Sequence, residues 1–229
     1  METPQQIKKQ ASGITLRLLI AVALFILLFF LFYFVADEIV LEQNNTFDLF
    51  IFQALSDITS PAITKLMLAF TFLGSNAFLL PAYIILVLYF LIVRKNTRLS
   101  LDTAMVGLTS TGLLFLMKDI FKRQRPLDPL IKNVNGYSFP SGHSFSSFTF
   151  CGLLIYMIWQ TKLSLIWKWL LSGLFFLLAT CVATSRVYLH VHYASDVVGG
   201  FCLSLMWLII SLLLLHKIDT RLFTNMQKK

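Results

Sequence analysis

Three short stretches of this chain carry residue types that can do chemistry together. Pro140-Ser141-Gly142-His143 stands at the head of an apolar run. Proline is favoured in the first turn of a helix, where its missing N–H is harmless, and the amides that follow have no helical acceptors. Such amides point outward and suit an anion. Gly142 lets backbone approach closely, Ser141 adds a hydroxyl and His143 offers a proton donor. A simple helix cap would explain Pro-Ser-Gly, but it leaves the histidine without a role.

Upstream, Lys118 and Arg125 are seven residues apart and Pro126 follows. If the helix continues, two turns place both cations on one face, and the proline then favours a stop. A lysine point charge and a planar arginine fork aimed at one spot suit a phosphate. Downstream, Arg186 adds a third cation. His192 and Asp196 are four apart at the start of another apolar run, hence on one helical face. A carboxylate beside a histidine holds one ring N–H, fixes the tautomer and leaves the other nitrogen free to act as a nucleophile.

These groups need a scaffold, and composition names its solvent. The chain has 229 residues, 57% of them hydrophobic and only 13% charged, with a mean hydropathy of +0.77. That leaves too little polar surface for a water-soluble globule and points to a single membrane-embedded domain over 1–229. The net charge of +8 therefore reads as membrane topology and attraction to anionic lipid, not as nucleic-acid binding. A spanning helix needs about 20 apolar residues. Six runs meet that length, at roughly 14–36, 77–93, 99–118, 141–160, 165–184 and 194–216. The third is weakened by Asp102, Thr103, Ser110 and Thr111, small and hydroxyl residues that suit helix contact. Between the first two runs, residues 47–73 are apolar but interrupted by Asp48, Asp57, Pro61 and Lys65, which predicts helices lying in the interface. The expected fold is all-α, an integral bundle of six transmembrane helices with interfacial helices between spans one and two. The first run has the basic opening of a leader but exceeds its usual apolar length, and is expected to be an uncleaved anchor.

The positive-inside rule places alternate loops in the cytoplasm. Lys8, Lys9 and Arg17, then Arg94, Lys95 and Arg98, then Lys162 and Lys168, then Lys217, Arg221, Lys228 and Lys229 share one side, so both termini are expected to be cytoplasmic. Lys118, Lys122, Arg123, Arg125, Lys132 and Arg186 break that rule on the outer side. Lipid headgroups could attract them, but a bound anion explains better why they share a loop region with Pro140–His143.

The pattern Lys-x6-Arg-Pro, Pro-Ser-Gly-His, Ser-Arg-x5-His-x3-Asp resembles the three-part signature of the type 2 phosphatidic acid phosphatase superfamily. It is met by Lys118, Arg125, Pro126, Pro140, Ser141, Gly142, His143, Ser185, Arg186, His192 and Asp196. The signature covers 118–196, and the six-run layout extends the likeness over most of the chain. Size and composition are similar to those of bacterial phosphatidylglycerophosphatase B and undecaprenyl-pyrophosphate phosphatase members. The resemblance implies that His192 attacks phosphorus to form a phosphohistidine, that Asp196 orients it, and that His143 protonates the leaving group. It implies that Lys118, Arg125, Arg186, Ser141 and Gly142 hold the phosphoryl oxygens in place of metal ions, with no cofactor. The implied partners are a lipid phosphate or pyrophosphate and the bilayer, at the extracytoplasmic face of the cell membrane. No obligate protein partner is evident. Transfer of the phosphoryl group to another acceptor would use the same signature. A transporter would place its ionisable groups near the midplane instead.

Other features carry less. Cys151, Cys181 and Cys202 lie inside apolar runs and read as small buried hydrophobes. His190 with His192 lacks a third ligand for a metal. Asn44-Asn45-Thr46 fits a glycosylation sequon, a triplet that arises often by chance. Trp159, Trp167 and Trp169 fit an interfacial aromatic belt, and His216 is expected near the cytoplasmic interface.

Overall fold

The computed structural model describes residues 4–42, 45–132 and 134–226, and its regular elements among these are all helical. In chain order they are α1 (Pro4–Phe34), α2 (Thr46–Ser56), α3 (Pro61–Leu73), α4 (Asn76–Leu88), α5 (Thr97–Phe121), α6 (Gly142–Trp159), α7 (Leu165–Tyr188) and α8 (Ala194–Met226). Wider π-helical turns extend α1 through Val35–Leu41 and α4 through Tyr89–Val93. The side chains of Lys8, Lys9, Arg17, His216, Lys217 and Arg221, and residues Asn44, Lys228 and Lys229, lie outside what is described.

Five segments among the described residues are long and apolar enough to cross a membrane: Leu18–Asp37, Asn76–Val93, Thr97–Phe121, Leu165–Tyr188 and Ala194–Leu215. The expected run at 141–160 is a helix, α6, but falls short of that apolarity. Its first turns carry His143, Ser144, Ser146, Ser147 and Thr149. Those residues are tolerated because α6 is central, packed between α7 and α8 with Phe145, Phe148, Cys151 and Leu153 buried. Outside it, the bundle exposes large apolar side chains such as Phe30, Leu108 and Ile166. Water would penalise that surface and lipid does not.

The 47–73 stretch forms two short apolar helices. At 1.5 Å per residue, α2 and α3 reach about 17 and 20 Å, too short to cross a core of about 30 Å. Ser60 caps α3, accepting from the Ile63 amide at 3.4 Å, with Pro61 in the first turn. The Tyr188 hydroxyl at the end of α7 meets the Thr64 hydroxyl at 3.0 Å and accepts from the Ser60 amide at 3.2 Å, which seats α3 along α7.

Of the hydroxyl residues expected to suit helix contact on α5, Thr103 and Ser110 are buried, whereas Thr111 is exposed and donates back to the Gly107 carbonyl of its own helix. Ser100 is buried and donates to the Val87 carbonyl of α4 at 3.0 Å, and Gly107 takes the Tyr83 ring at 3.1 Å from an ideal Cβ position. The end of α5 departs from expectation. It stops at Phe121, where Lys122 adopts a left-handed conformation (φ 48°) and its amide donates to the Lys118 carbonyl at 3.0 Å. Lys118 and Arg125 therefore do not share a helical face. The physical reason is an ion pair: leaving the helix lets Arg123 turn inward to buried carboxylates.

Glycine sets the spacing of α6 and α8. A Cβ on Gly200 would sit 2.8 Å from the Ser141 carbonyl and 3.1 Å from Ser144 Cβ. Gly200→Ala should push the two helices apart and cost about 1–3 kcal/mol, the usual penalty of overpacking. Gly173, with nothing within 4 Å of its Cβ position, should accept alanine without loss. Paired thermal melts of the purified variants in detergent check both.

Candidate active site

The ends of α5 and α7 and the beginnings of α6 and α8 meet at one end of the bundle, with α2 and α3 packed against them. The expected site residues are all carried by these ends or by the loops beside them. His192 and Asp196 form the centre. His192 Nδ1 is 3.4 Å from Asp196 Oδ2, and both side chains are buried. Asp196 Oδ2 also accepts from the Tyr193 amide at 2.8 Å and from the Ser138 hydroxyl, while Oδ1 accepts from Arg123 at 2.7 Å. His192 stands two residues before the first residue of α8 and is held there by this local turn, so the two side chains meet without both lying on a helix.

The other ring nitrogen faces cations. Arg125 Nη1 lies 3.2 Å from His192 Nε2 and 2.7 Å from the Val191 carbonyl oxygen. A guanidinium only donates, so Nε2 accepts and the ring proton belongs on Nδ1, toward Asp196. Burial, opposed by Asp196, pushes the His192 pKa down to about 4, so the ring is neutral at ordinary pH. The arrangement is an unprotonated imidazole nitrogen aimed among cations, with a carboxylate behind it.

Arg125 reaches this point from the loop after α5. Its Nε donates to the Gly136 carbonyl at 2.8 Å and its Nη2 to the Asn135 carbonyl at 3.1 Å. Burial holds its pKa below the usual arginine value. Lys118, in the last turn of α5, donates to the Tyr137 carbonyl at 2.6 Å. Arg186, in the last turn of α7, is 5% exposed and donates through Nη1 to the Thr71 hydroxyl of α3. His143 stands in the first turn of α6, within electrostatic reach of Arg186, His192, Arg125 and Lys118.

Ser141 is the N-cap of α6 and Gly142 its first residue, so the helix starts two residues after Pro140, which stands just outside the first turn. Its amide donates to the Asp196 carbonyl at 3.0 Å, which ties the starts of α6 and α8 together. The first free helical amides are those of Gly142 and the residues after it. A Cβ on Gly142 would lie 3.3 Å from Leu114 and 3.8 Å from Lys118 Cε, so glycine lets α5 and its lysine approach the helix start. Two buried polar atoms here, Ser141 Oγ and Arg186 Nε, have no hydrogen-bond partner among the described residues.

Several groups at this centre escaped the motif reading. In the sequence Arg123 is visible only as one cation of the rule-breaking cluster, and Asp48 only as one of the charges interrupting the 47–73 stretch. Arg123 is 8% exposed and Asp48 fully buried, and they pair at 2.8 Å. Two carboxylates outweigh burial and hold the Arg123 guanidinium above its ordinary pKa. Ser138 and Ser195 complete the network. Ser138 stands two residues before the Pro140–His143 motif, and a lone aspartate in the apolar run FDLFIF is the available signal for Asp48. His190 points elsewhere: it has φ 53° and its ring lies 4.9 Å from that of Phe52. Among the described residues no group of three or more His, Cys, Asp or Glu side chains converges as a metal site.

Comparison with known proteins finds similar chains and folds. Phosphatidylglycerophosphatase B of Bacillus subtilis (strain 168) is 30% identical over 184 residues, covering 78% of this chain and 88% of that protein. Dolichyldiphosphatase of Saccharomyces cerevisiae is 39% identical over 94 residues, covering 38% and 39%. The crystal structure of a transmembrane PAP2-type phosphatidylglycerolphosphate phosphatase from Bacillus subtilis superposes with a TM-score of 0.74 at 29% identity, over 86% of this chain and 96% of that one. The structure of Aquifex aeolicus LpxE is more distant, with a TM-score of 0.53 at 26% identity over 72% and 93%. The PAP2 superfamily profile matches residues 100–219, more than half of the sequence and all three signature stretches, and the chain belongs to that superfamily of membrane lipid phosphatases.

Proposed function

We propose that this protein hydrolyses a lipid phosphate or pyrophosphate through a phosphohistidine intermediate at the extracytoplasmic face. The substrates considered are undecaprenyl pyrophosphate, phosphatidylglycerol phosphate and phosphatidic acid. In this reading all six apolar runs cross the bilayer, both termini are cytoplasmic, α2 and α3 lie in the outer interface, and 1–229 acts as one domain. The observation that carries the proposal is the His192 ring, with Nδ1 against Asp196 and Nε2 among cations.

The geometry supports the following steps. His192 Nε2 attacks phosphorus; the P–N bond forms as the bond to the leaving oxygen breaks. Asp196 stabilises the positive charge that develops on the ring. His143 gives its proton to the leaving alkoxide or phosphate. Water then attacks the phosphohistidine and returns a proton to His143; the P–N bond breaks and inorganic phosphate departs. Dividing one hard displacement into two is the logic of covalent catalysis. Lys118, Arg125 and Arg186, with the Ser141 hydroxyl and Gly142 amide, neutralise the non-bridging oxygens. The unpartnered Ser141 Oγ and Arg186 Nε support this assignment, because a buried polar atom without a partner costs about 1–3 kcal/mol unless a ligand supplies one. The reading assigns charge stabilisation to these cations, with no metal ion.

Purified protein in detergent should therefore release phosphate from such lipids in EDTA as it does without it. His192→Ala should lose activity by at least about a thousandfold, and a folded variant that stays active refutes the mechanism. Replacing Arg186 with Ala should lower kcat by about 100- to 1000-fold, the effect of removing one preorganised donor. A phosphate-release panel across the three lipids identifies the substrate, and product analysis with an added alcohol separates hydrolysis from transfer.

The pH dependence has a definite sign. Attack needs a neutral His192, and its pKa is depressed to about 4. The acid limb of kcat/KM should lie near that value, well below an ordinary histidine, so activity holds as pH falls from 7 to 5. A limb at about 6.5, the unperturbed value, would contradict it.

A further inference from the structure

We infer that Asp48, on the short helix α2, is a positioning residue for the nucleophile, acting through Arg123 on Asp196. This rests on the reading of His192 and Asp196 given above. Asp48 is fully buried, as is Asp196, and the two carboxylates grip one guanidinium from opposite ends. Arg123 Nη2 donates to Asp48 Oδ2 at 2.8 Å and to Asn45 Oδ1 at 3.2 Å; Nη1 donates to Asp196 Oδ1 at 2.7 Å and to Ser195 Oγ at 2.7 Å. Asp48 also accepts from the Ser195 amide at 2.9 Å and from the Ser195 hydroxyl at 2.6 Å, so it pins the first turn of α8 beside Asp196. The Arg123 guanidinium lies 4.0 Å from the centre of the Tyr193 ring, and Phe52 of α2 meets that ring at 5.6 Å.

The chemical role follows from competition. A free guanidinium takes both oxygens of a carboxylate as a planar fork. Here Asp48 occupies one arm of Arg123, so Arg123 engages only Oδ1 of Asp196 and leaves Oδ2 to His192, Ser138 and Tyr193. With the Asp48 charge gone, Arg123 is free to turn its whole fork on Asp196 and draw Oδ2 away from the imidazole. Asp48 touches neither His192 nor the phosphoryl position, so its loss should reduce turnover and spare binding.

The test uses full-length enzyme in detergent with a short-chain lipid phosphate, and four variants: Asp48→Asn, Arg123→Lys, Asp196→Asn and the double variant Asp48→Asn/Asp196→Asn. Asp48→Asn and Arg123→Lys should each lower kcat by about 10- to 100-fold, the loss typical of removing a group that orients a functional histidine, with KM unchanged. Once Asp196 is already Asn, the Asp48 change should cost nothing further in kcat. A purely structural residue would give additive losses. Additive losses, a wild-type kcat in either single variant, or failure of both to fold would overturn the inference. If Asp196→Asn itself keeps full kcat, the underlying mechanism fails instead, and the two failures are told apart.

Discussion

The site depends on one buried carboxylate. Asp196 has no access to water, and a buried charge persists only when it is paired and hydrogen-bonded. Its partners come from three directions: Arg123 from the loop after α5, Ser138 from the loop before α6, and the Tyr193 amide and His192 from its own turn. Much of the irregular backbone nearby serves those contacts. The left-handed Lys122 ends α5 early enough for Arg123 to turn in, and the loop before α6 carries Ser138 inward. Even the main chain takes part, since the Asp196 carbonyl accepts from Ser141 and so positions the N-terminus of α6. His192, Arg123 and the N-terminus of α6 are brought together by satisfying one anion.

Around that centre the bundle uses close packing where polar groups must be precise and loose apolar surface where they need not be. Gly200 brings α6 and α8 together just below Ser141, and Phe139 fills the space against Gly199, its ring meeting Phe121 at 4.9 Å and Phe32 at 5.6 Å. Gly74, after α3, is enclosed by Val182, Ser147 and His143. The short helix α3 thereby covers the site from the side, and its Thr71 reaches Arg186. Farther down, α4 borders an apolar groove of about 420 Å³ lined by Phe78, Pro81, Ile85, Tyr89 and Phe150. The polar end is rigidly over-determined, and the remainder is a hydrocarbon-facing sleeve.

How much of this was legible depends on how local each signal is. Spans were readable because apolar length is a property of a contiguous stretch; α1, α4, α5, α7 and α8 fall where hydropathy placed them. Helix α6 was readable as an element but not in its share of lipid contact, because its polar first turns serve the site. The signature cations and histidines could be gathered at one end because they all flank helix termini. The geometry between them was another matter. Counting turns from Lys118 to Arg125 assumed a continuing helix, and only the tertiary pairing of Arg123 breaks it. The role of Asp48 is hidden for the same reason: a charge interrupting an apolar stretch says nothing about a partner 75 residues away. Long-range charge pairing leaves almost no trace in spacing.

The location of Asp48 also bears on modularity. The region recognised by the family profile, residues 100–219, holds an arginine whose second carboxylate is supplied from outside it, by an element of the N-terminal third of the chain. That catalytic half is thus not electrically self-contained. A chimera that grafts it behind a foreign N-terminal half inherits a guanidinium held by one carboxylate instead of two unless the donor brings an acidic side chain to the same depth, so the natural seam for recombination lies before α2, not at the profile's edge.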